Sequence, residues 1–144
     1  MASSDVLREV TLTIPMLADM EIAASKTATA IAEYMDMSPD RQDELRMAVV
    51  EACINAFEHS EADDRRVEIH FTILGDGEPE KLQVTVRDNG AGFAPDEVEE
   101  PEIADKLGAA SKRGWGLKII KGLMDEVEIR SSEEGTVVIM SKLR

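Results

Sequence analysis

Residues 45–56 read Leu45-Arg46-Met47-Ala48-Val49-Val50-Glu51-Ala52-Cys53-Ile54-Asn55-Ala56. Leu45, Val49, Ala52, Cys53 and Ala56, with Phe57 one residue further, recur at three- and four-residue spacing, so they share one side of a helix. Glu51 and Asn55 then stand together on its flank, four residues and one turn apart. A carboxylate and an amide project from one helical edge beside an apolar face. The helix start is legible too: Ser38-Pro39 places a hydroxyl at the N-cap and a proline where its missing N–H costs nothing. The helix runs from there to about His59.

Upstream, residues 6–14 alternate in the manner of a half-buried strand that Pro15 ends. From about Leu17 to Met35, the positions Met20, Ala23/Ala24, Thr27, Ile31 and Tyr34/Met35 repeat at helical spacing and predict a first amphipathic helix. Downstream, an acidic turn (Glu61 to Asp64) leads into strands at 66–74 and 81–88. Gly75-Asp76-Gly77-Glu78-Pro79 joins these as a hairpin. The second strand runs straight into Asp88-Asn89-Gly90-Ala91-Gly92-Phe93. A connection from Ala94 to Lys112 has Pro95, Pro101 and many acids but no strand pattern, a length typical of functional lids or unstructured segments. Gly114-Trp115-Gly116 opens a third helix, Leu117 to Met124. Strands near 126–132 and 136–142 close the chain around Glu133-Glu134-Gly135. The order β-α-α-β-β-lid-α-β-β predicts an α+β fold, a two-layer sandwich with helices on one face of a mostly antiparallel sheet.

Length and charge narrow the functions open to such a fold. At 144 residues the chain fits one domain (1–144) with a real core. No apolar run reaches the roughly 20 residues of a membrane span. The N-terminus carries neither a basic segment nor an apolar signal core, so the reading is a cytoplasmic protein without membrane attachment. Cys53 is the only cysteine, which excludes an internal disulfide or a zinc site and leaves a small buried hydrophobe. Acidic residues outnumber basic ones by 30 to 16, and a net charge of −14 opposes binding to the phosphate backbone of nucleic acid. Lys106, Lys112, Arg113, Lys118 and Lys121 nevertheless fall in a stretch without Asp or Glu. Charge alone makes this a solvated face. The glycines inside it point instead to an anion.

Three polar or glycine-bearing clusters at element ends fit one ligand. Asp88 closes a strand, where a carboxylate can accept from an exocyclic amine. Gly90 and Gly92 lack a Cβ, so backbone can approach a flat base closely. Gly114 and Gly116, placed before a helix with Lys112 and Arg113 beside them, make a candidate phosphate cradle. Glu51 and Asn55 supply hard oxygens, and Mg²⁺ is held by such oxygens together with substrate phosphates. Each motif is weak by itself; the conjunction in this order is far more specific.

These residues resemble the GHKL ATPase superfamily, whose histidine-kinase-like ATPase fold is shared by gyrase and sensor histidine kinases. Within it the chain is most similar to bacterial anti-sigma-factor serine/threonine kinases. Leu45 to Ala56 matches the family's N-box, Asp88 to Phe93 its adenine box, and Gly114-Trp115-Gly116-Leu117 its second glycine box. The resemblance implies ATP and Mg²⁺ as cofactors. It makes Asn55 the Mg²⁺ ligand, Glu51 the base that activates the attacking hydroxyl, and Asp88 the partner of the adenine amino group, with Thr136 assisting. Gly90, Gly92, Gly114 and Gly116 let lid and phosphates close against backbone, Leu117 joins them among the cofactor-binding residues, and Lys112 and Arg113 stand near the terminal phosphate, with a lid at about 94–113. It further implies a sigma factor and a STAS-domain anti-anti-sigma protein as partners, and allows a homodimer. Two other readings stand beside it. A detached ATP-binding domain of a histidine kinase needs a phosphoacceptor histidine, and only His59 and His70 are present. A nucleotide-binding regulatory module without phosphotransfer would use nearly the same residues.

Overall fold

The computed structural model describes residues 5–59, 65–88, 109–132 and 135–144. In chain order the elements are β1 (Val6–Pro15), α1 (Met20–Tyr34), α2 (Pro39–His59), β2 (Arg66–Gly75), β3 (Pro79–Asp88), α3 (Ala109–Leu123), β4 (Glu126–Ser132) and β5 (Gly135–Leu143). The five strands form one sheet in the order β1-β2-β3-β5-β4, and every neighbouring pair is antiparallel. This is the α+β arrangement expected from the order of elements.

Strand alternation decides which face the helices cover. Across the sheet, Leu12, Ile69, Val86, Val138 and Ile129 stand in one row, and Val10, Phe71, Val84, Met140 and Val127 in the next. These rows carry the buried core of β2, β3 and β5. The opposite face presents Thr11, His70, Thr85, Ile139 and Glu128, a largely polar row that suits solvent. There His70 Nδ1 contacts Thr11 Oγ1 at 3.2 Å and its Nε2 meets Glu68.

α2 lies between α1 and α3 and packs against both. Leu45, Ala48, Val49, Ala52 and Cys53 are each at most 1 % exposed, so residues 45–56 form the centre of the helical layer. Its N-terminus is capped as expected, with Ser38 Oγ accepting from the Arg41 N–H at 3.3 Å. The preceding helix differs more from expectation. α1 begins at Met20, and its buried positions are Ala24, Ser25, Ala28, Ile31 and Ala32. Thr27 bonds back to the Ala23 carbonyl, and Tyr34 is 60 % exposed. The helix ends in a double cap: the Asp36 N–H donates to the Glu33 carbonyl and the Met37 N–H to the Ala32 carbonyl, each at 3.0 Å. Asp36 takes the left-handed position (φ 60°) that glycine usually fills.

Candidate active site

A recess opens where the helical layer meets the end of β3. Ala52, Asn55 and Ala56 of α2, Val86 and Asp88 of β3, and Thr136 and Val138 of β5 line it. It encloses about 270 Å³, counted with the solvent at its mouth. The register explains its chemistry. Asp88 follows Leu82, Val84 and Val86 on the inner face of β3, and Thr136 lies one residue beyond Val137, the partner of Arg87. The apolar rows of the sheet therefore end in a polar one. Asp88 is 6 % exposed and Thr136 8 %, an acceptor and a hydroxyl held beside apolar walls. Such a surface fits a flat heterocycle carrying an amino group.

Asn55 closes the recess from above and is 8 % exposed. Glu51 lies one turn earlier on α2 and is half-buried. A Cβ placed on Gly116 of α3 would lie 3.8 Å from Asn55 Oδ1, so α3 passes close to the amide. At its other end, the Leu123 carbonyl and the Glu44 carboxylate both meet Lys142 Nζ. These two contacts run α3 antiparallel to α2. The N-terminal half of α3 thus lies beside the C-terminal half of α2.

That pairing organises charge around the recess. The last turn of α2 is the negative end of its macrodipole and favours a cation near Asn55, whereas the first turn of α3 favours an anion. Asn55 therefore fits a magnesium ion chemically: a single hard oxygen, at the cation-favouring end of a helix, with room for phosphate oxygens to complete the shell. Among the described residues no cluster of three or more His, Cys, Asp or Glu could hold a metal without a ligand's help.

The expected phosphate cradle needs correction. The third helix starts at Ala109, five residues before Gly114, so Gly114 and Gly116 lie inside α3 rather than in front of it. Ala109, Ala110, Lys112 and Arg113 favour helix, and two internal glycines cost only about 1 kcal/mol each. The N–H groups without intrahelical partners therefore belong to the first turn of α3. Gly116 lies beside the Asn55 amide, where a Cβ would make only ordinary contact. Lys112 and Arg113 sit in the first two turns of α3, the anion-favouring end. Leu117 is 4 % exposed and packs in the core. Of the segment proposed as a lid, 109–113 belongs to α3, while 94–108, like Gly90 and Gly92, lies outside the described residues.

Sequence reasoning missed the apolar lining, Val86 and Val138, although the alternation Leu82-Val84-Val86-Asp88 held the signal: period two puts Asp88 on the core face. It also missed Lys142, a cation only 3 % exposed on β5. His70, weighed as a phosphoacceptor, belongs to the sheet face turned away from the helices and the recess. Cys53 is fully buried, as read from sequence.

Comparison with known proteins identifies the family. The chain belongs to the histidine kinase-like ATPase domain family, whose model matches residues 14–142. It is 32% identical over 125 residues to Serine-protein kinase RsbW of Bacillus velezensis, spanning 81% of this chain and 73% of that protein. The Bacillus subtilis protein of the same name matches equally well, and that of Bacillus mycoides is 27% identical over 93% of this chain and 84% of its own. Among solved structures, the RsbU and RsbW domains of a Mycobacterium tuberculosis protein share the fold with a TM-score of 0.69 at 17% identity. That match covers 94% of this chain but 32% of the longer one. A blue-light activated histidine kinase domain from Erythrobacter litoralis matches at a TM-score of 0.51, 19% identity, over 97% of this chain and 63% of its own.

Proposed function

We propose that the chain is an ATP-dependent serine protein kinase acting as an anti-sigma factor, which sequesters a sigma factor and phosphorylates a STAS-domain antagonist. The observation that carries the reading is the convergence of Asp88 and Thr136 from the sheet with Asn55 from α2 on one recess, with Glu51 one turn earlier on the same helix. The likeness to serine-protein kinases over most of the chain supports it.

In this reading Asp88 accepts from the adenine amino group while Thr136 bonds the ring edge, and Val86 and Val138 exclude water from the base. Gly90 and Gly92 admit the base against backbone. Lys112 and Arg113 attract the phosphates at the start of α3, and Gly114 and Gly116 let that helix close on them. Asn55 offers its amide oxygen to Mg²⁺, which would neutralise charge on the phosphates and hold them in line. Glu51 takes the proton as the serine oxygen attacks the γ-phosphorus. The bond from that phosphorus to the β,γ-bridging oxygen breaks, and ADP leaves. Positioning and charge neutralisation supply most of the acceleration.

The segment 94–113 acts as the lid of this single domain in the same reading. No helix of the described residues is long and apolar enough to cross a membrane, and we place the protein in the cytoplasm without direct nucleic-acid contact. The edge strand β1 and helix α1 expose Val6, Val10 and Ile22, which supports a homodimer or sigma-factor contact there.

The test is incubation of the chain with MgATP and a candidate STAS-domain partner. Acid-stable serine phosphate, lost in Glu51→Gln with MgATP binding retained, is the expected result. Binding without transfer would favour a regulatory module, and acid-labile histidine phosphate a histidine-kinase fragment.

A further inference from the structure

Lys142 stands on the inner face of β5 opposite Leu82, in a position of the sheet that elsewhere takes hydrophobic side chains. It is 3 % exposed. Burying an ammonium costs several kcal/mol unless it is paired and hydrogen-bonded. Here Nζ donates to Glu44 Oε2 at 3.1 Å and to the Leu123 carbonyl at 2.5 Å. One side chain therefore ties three elements: the sheet, the first half of α2 and the C-terminal end of α3.

The tie lands where it has leverage. Leu123 is the last residue of α3, and its carbonyl belongs to the final turn, which lacks intrahelical donors and attracts cations. The residues that follow are locked as well. The Asp125 N–H donates to the Ser141 carbonyl at 2.9 Å, and Asp125 Oδ2 accepts from the Leu143 N–H at 2.7 Å. Arg41 Nη1 donates to the Leu143 carbonyl at 3.2 Å and lies 3.8 Å from Asp125. The other half of α3 carries Gly116 to the edge of Asn55. At about 1.5 Å per residue the anchor and Gly116 are roughly 10 Å apart on one rigid rod. Lys112 and Arg113 lie on the next turn along that rod.

We propose that Lys142 is a positioning residue, whose clasp on Glu44 and the Leu123 carbonyl sets the placement of α3 and hence of the phosphate side of the nucleotide cleft. The proposal rests on the nucleotide-site reading above. It assigns the base side, built on β3 and β5, no dependence on the clasp. Lys142 contacts no substrate; it acts through α3.

The variant Lys142→Met removes the ammonium and keeps the rest of the unbranched side chain nearly isosteric. Glu44 is 41 % exposed, so it stays solvated when its partner goes. Binding of MgATP and of adenosine is measured by titration, well below the melting temperature, for wild type, Lys142→Met and Glu44→Ala. The expected result is a loss of MgATP affinity of about tenfold in Lys142→Met, with adenosine affinity unchanged. Glu44→Ala, which leaves Lys142 on the Leu123 carbonyl, shows the same selective loss to a smaller extent. It decides the matter if Lys142→Met does not fold. Equal affinities in variant and wild type, or proportional losses for both ligands, would overturn the proposal. Failure of the wild type to bind MgATP would instead sink the nucleotide-site reading.

Discussion

A Cβ built on Gly116 would stand 3.8 Å from Asn55 Oδ1, in ordinary contact and without overlap. Alanine therefore fits at this position. Because Gly116 lies inside α3, Gly116→Ala should stabilise the fold by about 0.5–1 kcal/mol through helix propensity. Its methyl group would also cover the amide oxygen assigned to the metal–phosphate side. The expected outcome is a melting temperature raised by a few degrees together with weaker MgATP binding, read by a thermal melt and a titration of one sample. Unchanged MgATP affinity would mean that the oxygen of Asn55 does not face the phosphates.

Asp88 offers a sharper test of which nucleotide the recess takes. Its carboxylate, 6 % exposed at the end of β3, is positioned to accept from an exocyclic amine. Hydrogen bonds to charged groups contribute about 1.5–3 kcal/mol, so Asp88→Asn should weaken ATP binding by about that amount. Inosine triphosphate replaces the amino group with a carbonyl. Wild type should prefer ATP over it, and Asp88→Asn should lose most of that preference in a competition titration. A preference that survives in the variant would remove Asp88 from base recognition.

The unequal legibility of the sequence has physical causes. α2 was readable to the residue because Ser38-Pro39 is a local signal and the apolar spacing of Leu45 to Cys53 is sustained over several turns. The hairpin of β2 and β3 was readable from its alternation and its glycine-rich turn. The start of α3 was not, because the two glycines there look like punctuation, whereas packing of Leu117 and Ile120 on the core stabilises a helix that runs through them. On α1, small residues left the apolar face ambiguous: Ala24, Ile31 and Met35 are buried as expected, whereas Ala28 rather than Thr27 takes the buried position between them, and Tyr34 is exposed. Asn55, Asp88 and Thr136 could be named from motifs, but their convergence needed the strand order, in which β5 inserts between β3 and β4. Lys142 carried no local signal at all. Its partners lie 98 and 19 residues away.

The β2–β3 turn should resist substitution at both of its described glycines, for different reasons. A Cβ on Gly75 would come within 1.9 Å of the Glu78 carbonyl oxygen, a backbone atom that cannot rotate away, at the point where the strand register shifts. Gly77 has open space around it, but its φ of +80° penalises any side chain. Gly75→Ala should therefore cost about 1–3 kcal/mol, as overpacking does. Gly77→Ala should cost about 1–2 kcal/mol, from the left-handed backbone alone. Urea denaturation measures both losses, and a Gly75→Ala variant as stable as wild type would contradict the geometry of the turn.

Cys53 makes the stability of the helical layer sensitive to alkali. Burial pushes its thiol up from 9.0 to about 12, and the carboxylate of Glu21 on the neighbouring helix adds to the shift. The folded protein therefore holds a proton that the unfolded chain releases above about pH 9. Its contribution is fully present below that pH and is lost progressively as the pH rises toward about 12. At neutral pH the thiol should resist alkylation in the native protein and react fully once denatured. Cys53→Ala removes the titrating group at the expense of a small cavity, so it should be less stable than wild type at pH 7. The gap between the two should narrow when urea denaturation is repeated at pH 9 and above. A gap constant across that range would show that the thiol does not titrate with unfolding.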